Sequence, residues 1–222
     1  MLREVFSGKC PSCGGSSEWE EPLCSKCVSK IVKSFPPCHR CGYPIRSEGG
    51  YCYACFGEKR FAGGRVYSCF KYTGVIRDLI LSIKFNYNIR SGLTFNKILS
   101  IPENFNPEIY DIITPVPSHF IRRFRRFQHP AEIAANYISS ISTKPVVNVL
   151  KRSKLTGFQY KLGARERRNN VHGAFEVRSD INMLNILLVD DIFTTGSTLN
   201  ECAQLLRATG ASTVDCFVLA VD

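Results

Sequence analysis

The chain has 222 residues, with 29 Lys+Arg against 19 Asp+Glu, a formal net charge of +10, and 11 cysteines. A hydrophobic share of 44% with 22% charged residues excludes general disorder. No apolar stretch approaches the roughly 20 residues that span a bilayer, which excludes membrane insertion.

The N-terminal MLREVFSGKC lacks the apolar run of a secretory signal, so a reducing cytoplasm is expected, where dense cysteine more often means metal than disulfide. The positive charge is uneven: residues 112–172 carry a net +10 and residues 173–222 a net −5. So concentrated a basic segment predicts an anionic partner: phosphate, pyrophosphate or nucleic acid.

In chain order, the first element is a cysteine module. Four C-x-x-C pairs, Cys10/Cys13, Cys24/Cys27, Cys38/Cys41 and Cys52/Cys55, start 14 residues apart. A two-residue gap lets a tight turn present two sulfurs to one ion, and two such turns complete a tetrahedral site. Equal intervals leave open which pairs share an ion, but the flanks differ. Gly follows Cys13 and Cys41, whereas Cys24 and Cys52 open pairs without it. The repeat therefore runs over 28 residues and assigns Cys10, Cys13, Cys24 and Cys27 to one zinc, and Cys38, Cys41, Cys52 and Cys55 to a second. All-cysteine sites are structural, so no zinc chemistry is expected. Counting eight thiolates and two zinc ions brings the total charge to about +6. A disulfide framework or a redox C-x-x-C is the competing reading, disfavoured by the missing signal and by the lack of a surrounding strand–helix pattern. Cys69, Cys202 and Cys216 lie in apolar contexts and read as packing residues.

From residue 61 the pattern alternates. Strands are expected at 66–72, 111–116, 146–150, 185–191 and 213–221, and helices at 75–85, 131–139 and near 197–209. Apolar strands separated by helices predict an α/β fold with a parallel sheet flanked by helices, whose ligand sits beyond the carboxyl ends of the strands. The expected domains are therefore 1–60 and 61–222.

One stretch, ILLVDDIFTTGST (186–198), ends an apolar strand in Asp190 and Asp191 and then enters a helix through Thr194, Thr195, Gly196, Ser197 and Thr198. Small and hydroxylated residues at a helix N-terminus suit a phosphate monoester, and Gly196 lets backbone approach it. Carboxylates would repel phosphate but accept the hydroxyls of an attached sugar, so a ribose 5-phosphate is the natural fit.

This stretch resembles the PRPP-binding motif of type I phosphoribosyltransferases. The resemblance implies that Asp190 and Asp191 hold the ribose hydroxyls and that, with Ile192 and Phe193 between, Thr194, Thr195, Gly196, Ser197 and Thr198 cradle the 5′-phosphate. DIITPVPSHFIRRFRRF (111–127) resembles the segment bearing the pyrophosphate loop, which would comprise Val116, Pro117, Ser118 and His119. FQYKLGARERRNNVHGAF (158–175) and YTGVIRDLILSIKF (72–85) match further signatures. With the cysteine module, the chain resembles the ComF family of competence-associated, phosphoribosyltransferase-like proteins with an N-terminal double zinc ribbon. It departs from the pattern at Arg126, where relatives often carry glycine, and no hood over a nucleobase is expected after the last strand.

Phosphoribosyl transfer would need Mg²⁺ on the pyrophosphate, cations around the leaving group and a lid. Lys84, Arg122, Arg125 and Arg167 are the catalytic candidates, and residues 153–165, with Gly157 and Gly163, could form a flap. No acceptor site is evident. Two readings stand: a Mg²⁺-dependent phosphoribosyltransferase acting in competence and DNA uptake, or a non-catalytic competence factor. The second would use the pocket for sensing or stability and the basic tract, with Phe120, Phe124 and Phe127 among its arginines, for single-stranded DNA, and other competence proteins are further candidate partners.

Overall fold

The computed structural model describes residues 7–18, 20–33, 38, 45, 62–86, 89–117, 129–153 and 173–222. The elements in order are β1 (Ser7–Lys9), β2 (Ser16–Glu18), α1 (Ser25–Val28), β3 (Val66–Lys71), α2 (Gly74–Asn86) and α3 (Ile89–Ile98). There follow β4 (Ile112–Pro115), α4 (Pro130–Ser142), β5 (Leu150–Arg152), β6 (Phe175–Val177), β7 (Asn185–Phe193), α5 (Ser197–Ala208) and β8 (Thr213–Val221).

The central sheet has four strands in the order β3-β8-β7-β4, every neighbouring pair parallel. Its strands are almost continuously apolar because helices cover both faces. Leu187 and Val189 of β7 pack with Ile76, Leu79 and Ile80 of α2 and Ile138 of α4, whereas Ile186 and Leu188 pack with Leu199, Cys202 and Leu206 of α5. The two-residue pleat thus sorts one strand into two cores. Cys69, Cys202 and Cys216 are buried in these cores, and burial pushes all three thiols up.

The cysteine module is laid against this domain. Cys10, Leu23 and Cys27 belong to the same apolar cluster as α2. Lys33 makes an antiparallel bridge to Phe70, and the Lys71 amide donates to the Val32 carbonyl at 3.1 Å. The module therefore covers the open edge of β3, which would otherwise offer free backbone groups to another chain.

Two expectations need correction. The segment 146–150 does not form a sheet strand: Val146 makes a single parallel bridge to Ile113, and the Val149 amide then turns back to the Val147 carbonyl at 3.0 Å. That tight turn ends the pairing, and the chain forms β5 instead, antiparallel to β6. Strand β7 also runs past its expected end at 191 to Phe193, held by pairing of Ile192 with Ala220 and Phe193 with Val221. Helix α3 was not expected at all. Ser91, Gly92, Thr94 and Asn96 are weak helix formers, and burial of Phe95, Ser91 and Thr94 stabilises the helix instead.

Candidate functional site

Because the sheet is parallel, the carboxyl ends of β3, β4 and β7 share one rim, where open α/β sheets place ligands. Asp190 and Asp191 sit on that rim. As consecutive strand residues they leave β7 on opposite faces. Asp191 turns toward α2, where Lys84 Nζ lies 2.8 Å from Oδ1 and 2.7 Å from Oδ2. Lys84 belongs to the last turn of α2, a position at which a cation also favours the helix dipole.

Asp190 faces the side of α5 and β5. Its Oδ1 accepts the Asp191 amide at 2.8 Å. Burial, and then the charge of Asp191, hold its carboxyl above the usual range, partly offset by Lys84 and Arg152. A carboxyl held up beside a second, ion-paired acid is one whose charge a cation or a sugar hydroxyl would stabilise.

After Phe193 the chain enters α5 through exposed Thr194 and Thr195. Gly196 is the N-cap, with φ 68 and no side-chain cap bond. A Cβ there would stand 2.7 Å from the buried Phe193 ring, so both backbone angle and space demand glycine. Thr195 Oγ1 and Ser197 Oγ lie 2.7 Å apart, and the Ser197 amide donates to Thr195 Oγ1 at 3.4 Å. Hydroxyls and first-turn amides of α5 thus converge at a helix N-terminus with two flexible donors, an arrangement suited to a phosphate.

Val116 is buried at the end of β4, its amide donating to the Val189 carbonyl at 2.8 Å, and Pro117 follows half-buried. Ile192 packs half-buried against the α2 core. Ser118, His119, Arg122, Arg125 and Arg167 lie outside the described residues, as do most of the flap and basic tract. His129 caps α4, its Nδ1 accepting the Ala131 amide at 3.3 Å.

Two further residues enter the electrostatics of the acids. Tyr72, half-buried and raised by burial, lies within range of Asp191, and its signal was its place at the head of the matched segment 72–85. Arg152 stands 5.5 Å over the Phe175 ring and acts on Asp190. Its presence in the basic tract was the only sequence signal. On either side of the undescribed residues 154–172, the Ser153 amide donates to the Ala174 carbonyl at 2.9 Å, and the Gly173 amide donates to Glu201 Oε1 of α5 at 2.7 Å.

In the cysteine module, Sγ atoms of Cys10, Cys13, Cys24 and Cys27 all lie within 4.8 Å of one another. Cys13 and Cys24 sulfurs are 3.7 Å apart, close to the edge of about 3.8 Å of a tetrahedron with zinc–sulfur bonds. The Gly15 amide points at Cys13 Sγ at 3.4 Å, and Gly14 takes the left-handed backbone, φ 73, that closes the turn. Burial works against a thiolate at Cys10, yet the amides of Cys13 and Cys24 outweigh it and bring that thiol down to about 6. Burial and then the neighbouring sulfurs push Cys27 up to about 12, a penalty that a dication removes. The donor set fits zinc. Of the other four cysteines only Cys38, buried, is among the described residues; Cys41, Cys52 and Cys55 lie outside them.

Comparison with known proteins agrees with this architecture. Residues 1–56 match the double zinc ribbon domain and residues 92–222 the phosphoribosyl transferase domain. The chain is 36% identical over 114 residues to Competence protein F of Haemophilus influenzae, covering 50% of each chain. It is 28% identical over 154 residues to the DNA utilization protein YhgH of Salmonella typhimurium, covering 67% of this chain and 68% of the relative. A ribose-phosphate pyrophosphokinase of Pyrococcus abyssi is 30% identical over 122 residues, 50% of this chain and 42% of that protein. The match thus spans half the length of the Haemophilus protein. Among solved structures, a purine phosphoribosyltransferase from Pyrococcus horikoshii Ot3 overlaps 66% of this chain and 72% of its own at TM-score 0.33 and 14% identity, a likeness too low to bear on the site. A double zinc ribbon followed by a parallel-sheet phosphoribosyl transferase domain, in the company of these competence and DNA-utilization relatives, makes the chain a member of the ComF family.

Proposed function

We propose that this chain binds PRPP or another ribose 5-phosphate-containing ligand at the β7–α5 rim and acts in the handling of DNA during uptake. The observation that carries the reading is the Asp190–Asp191 pair, with Lys84 2.7 Å from Asp191, set directly before the Gly196-capped α5. The sugar hydroxyls would go to the carboxylates, and the 5′-phosphate to the α5 amides with Thr195 and Ser197. The oxygen-only carboxylate pair suits Mg²⁺ rather than a thiophilic metal. Mg²⁺ entering with PRPP would neutralise charge on the pyrophosphate. The competence role rests on the relatives named Competence protein F and DNA utilization protein YhgH.

The test is titration calorimetry of PRPP with Mg²⁺ into the wild type and into the double variant Asp190→Asn/Asp191→Asn. Micromolar binding lost in the variant supports the pocket and opens a search for the acceptor. Absence of binding by folded, zinc-loaded wild type rejects it.

A second reading has its own support. The net +10 of residues 112–172, where Phe120, Phe124 and Phe127 alternate with arginines, suits single-stranded DNA, whose phosphates and bases meet cations and rings. The two activities are compatible in one chain.

A further inference from the structure

We infer that the first cysteine knuckle is part of the positioning machinery of the phosphoribosyl site, acting on Lys84 through Asp78 and Arg90; this rests on the ligand reading given above. Ser12, between Cys10 and Cys13, donates from Oγ to Asp78 Oδ2 on α2 at 3.0 Å. The same hydroxyl lies against the Cys27 sulfur. Further along, Arg90 Nη2 of α3 donates to Ser17 Oγ and to the Glu18 carbonyl, both at 3.1 Å, and Lys97 Nζ donates to the Glu20 carbonyl. Buried Ser91 ties α3 back to α2, its Oγ donating to Ser82 Oγ at 3.0 Å.

Lys84 is bracketed by these contacts: Asp78 and Ser82 precede it on α2, and Arg90 and Ser91 follow on α3. Apolar packing reinforces the grip, since Cys10, Leu23 and Cys27 share a cluster with Ile76, Leu79 and Ile83. Lys84 sits in the last turn of its helix, the part most prone to fraying, on a long side chain with many rotamers. Its ion pair with Asp191 therefore depends on what holds the end of α2 in place. The four sulfurs gather Ser12 and β2 into position only while zinc keeps them together, so metal in the knuckle and ligand at the rim are linked through α2.

Full-length, zinc-loaded protein is titrated with ribose 5-phosphate, without Mg²⁺, in wild type, Asp78→Ala and Ser12→Ala, each in the native and in the Lys84→Met background, with zinc content measured for every sample. Expected are unchanged zinc content in Asp78→Ala, binding about five-fold weaker in the native background, and a change below about two-fold in the Lys84→Met background. General loosening of the fold would weaken binding equally in both backgrounds, and that result overturns the inference, as does unchanged affinity in Asp78→Ala and Ser12→Ala. Wild type that binds no ribose 5-phosphate overturns the ligand reading and this coupling together, whereas binding that ignores the knuckle overturns the coupling alone.

Discussion

Asp190 shows at single-residue scale how the site is set against stability. In the unfolded chain its carboxyl titrates near the ordinary value of about 4. In the fold, burial and then the charge of Asp191 raise it to about 7. The folded state therefore holds an extra proton between those values, and its stability falls as pH rises through that window. Asp190→Asn removes the penalty: the variant should be more stable than wild type at pH 8, on the order of 1–2 kcal/mol after allowance for partial solvent screening, and nearly equal at pH 4. Chemical denaturation at the two pH values checks this, and a difference independent of pH would reject it. The stabilised variant should nevertheless lose ligand affinity, the usual exchange at functional sites. Gly196→Ala acts differently, because φ 68 is strained for alanine and its Cβ meets the Phe193 ring. Stability should fall by about 1–3 kcal/mol, with weaker phosphate binding, in calorimetry of melting and of titration.

At the scale of elements, the informative ones are the knuckle, α3 and the rim strand. Removing zinc with a chelator should release β1–β2 and uncover the β3 edge. Hydrogen exchange should then rise first across residues 7–33 while β7 and β8 stay protected, and light scattering should increase as free edges associate. Simultaneous loss of protection everywhere would mean that the module is inseparable from the sheet. Periodicity made α2, α4, α5 and most of the sheet legible, because their apolar residues face cores directly. It failed for α3, whose polar and small residues are held by burial of Phe95 and by the Ser91–Ser82 bond. It failed at 146–150 because an apolar run looks the same whether it joins a sheet or turns away after one bridge.

For the whole molecule, charge is divided by region: the basic excess lies in 112–172 and the acids of the last segment follow it. If that tract binds single-stranded DNA, affinity should drop steeply with salt, and joint Ala substitution of Arg122, Arg123, Arg125 and Arg126 should flatten the salt slope without sequence preference. Fluorescence anisotropy with unrelated oligonucleotides at several salt concentrations measures this; unchanged binding would take the tract out of that role. PRPP titration of the same variant would show how far the two anionic ligands share these arginines.

The candidate motifs are local in the sequence. The C-x-x-C pairs, the Asp-Asp-to-Gly turn and the strand–helix alternation each lie within one short window, and each constrains its own backbone. What needed the tertiary structure was everything joining distant windows. Lys84 is 107 positions from Asp191 yet makes its ion pair. Asp190 and Asp191, adjacent in sequence, are sent to opposite faces by the pleat. Ser12 reaches Asp78 across 66 positions. Such pairings depend on how parallel strands and their covering helices pack, a property of the whole core that no local pattern contains.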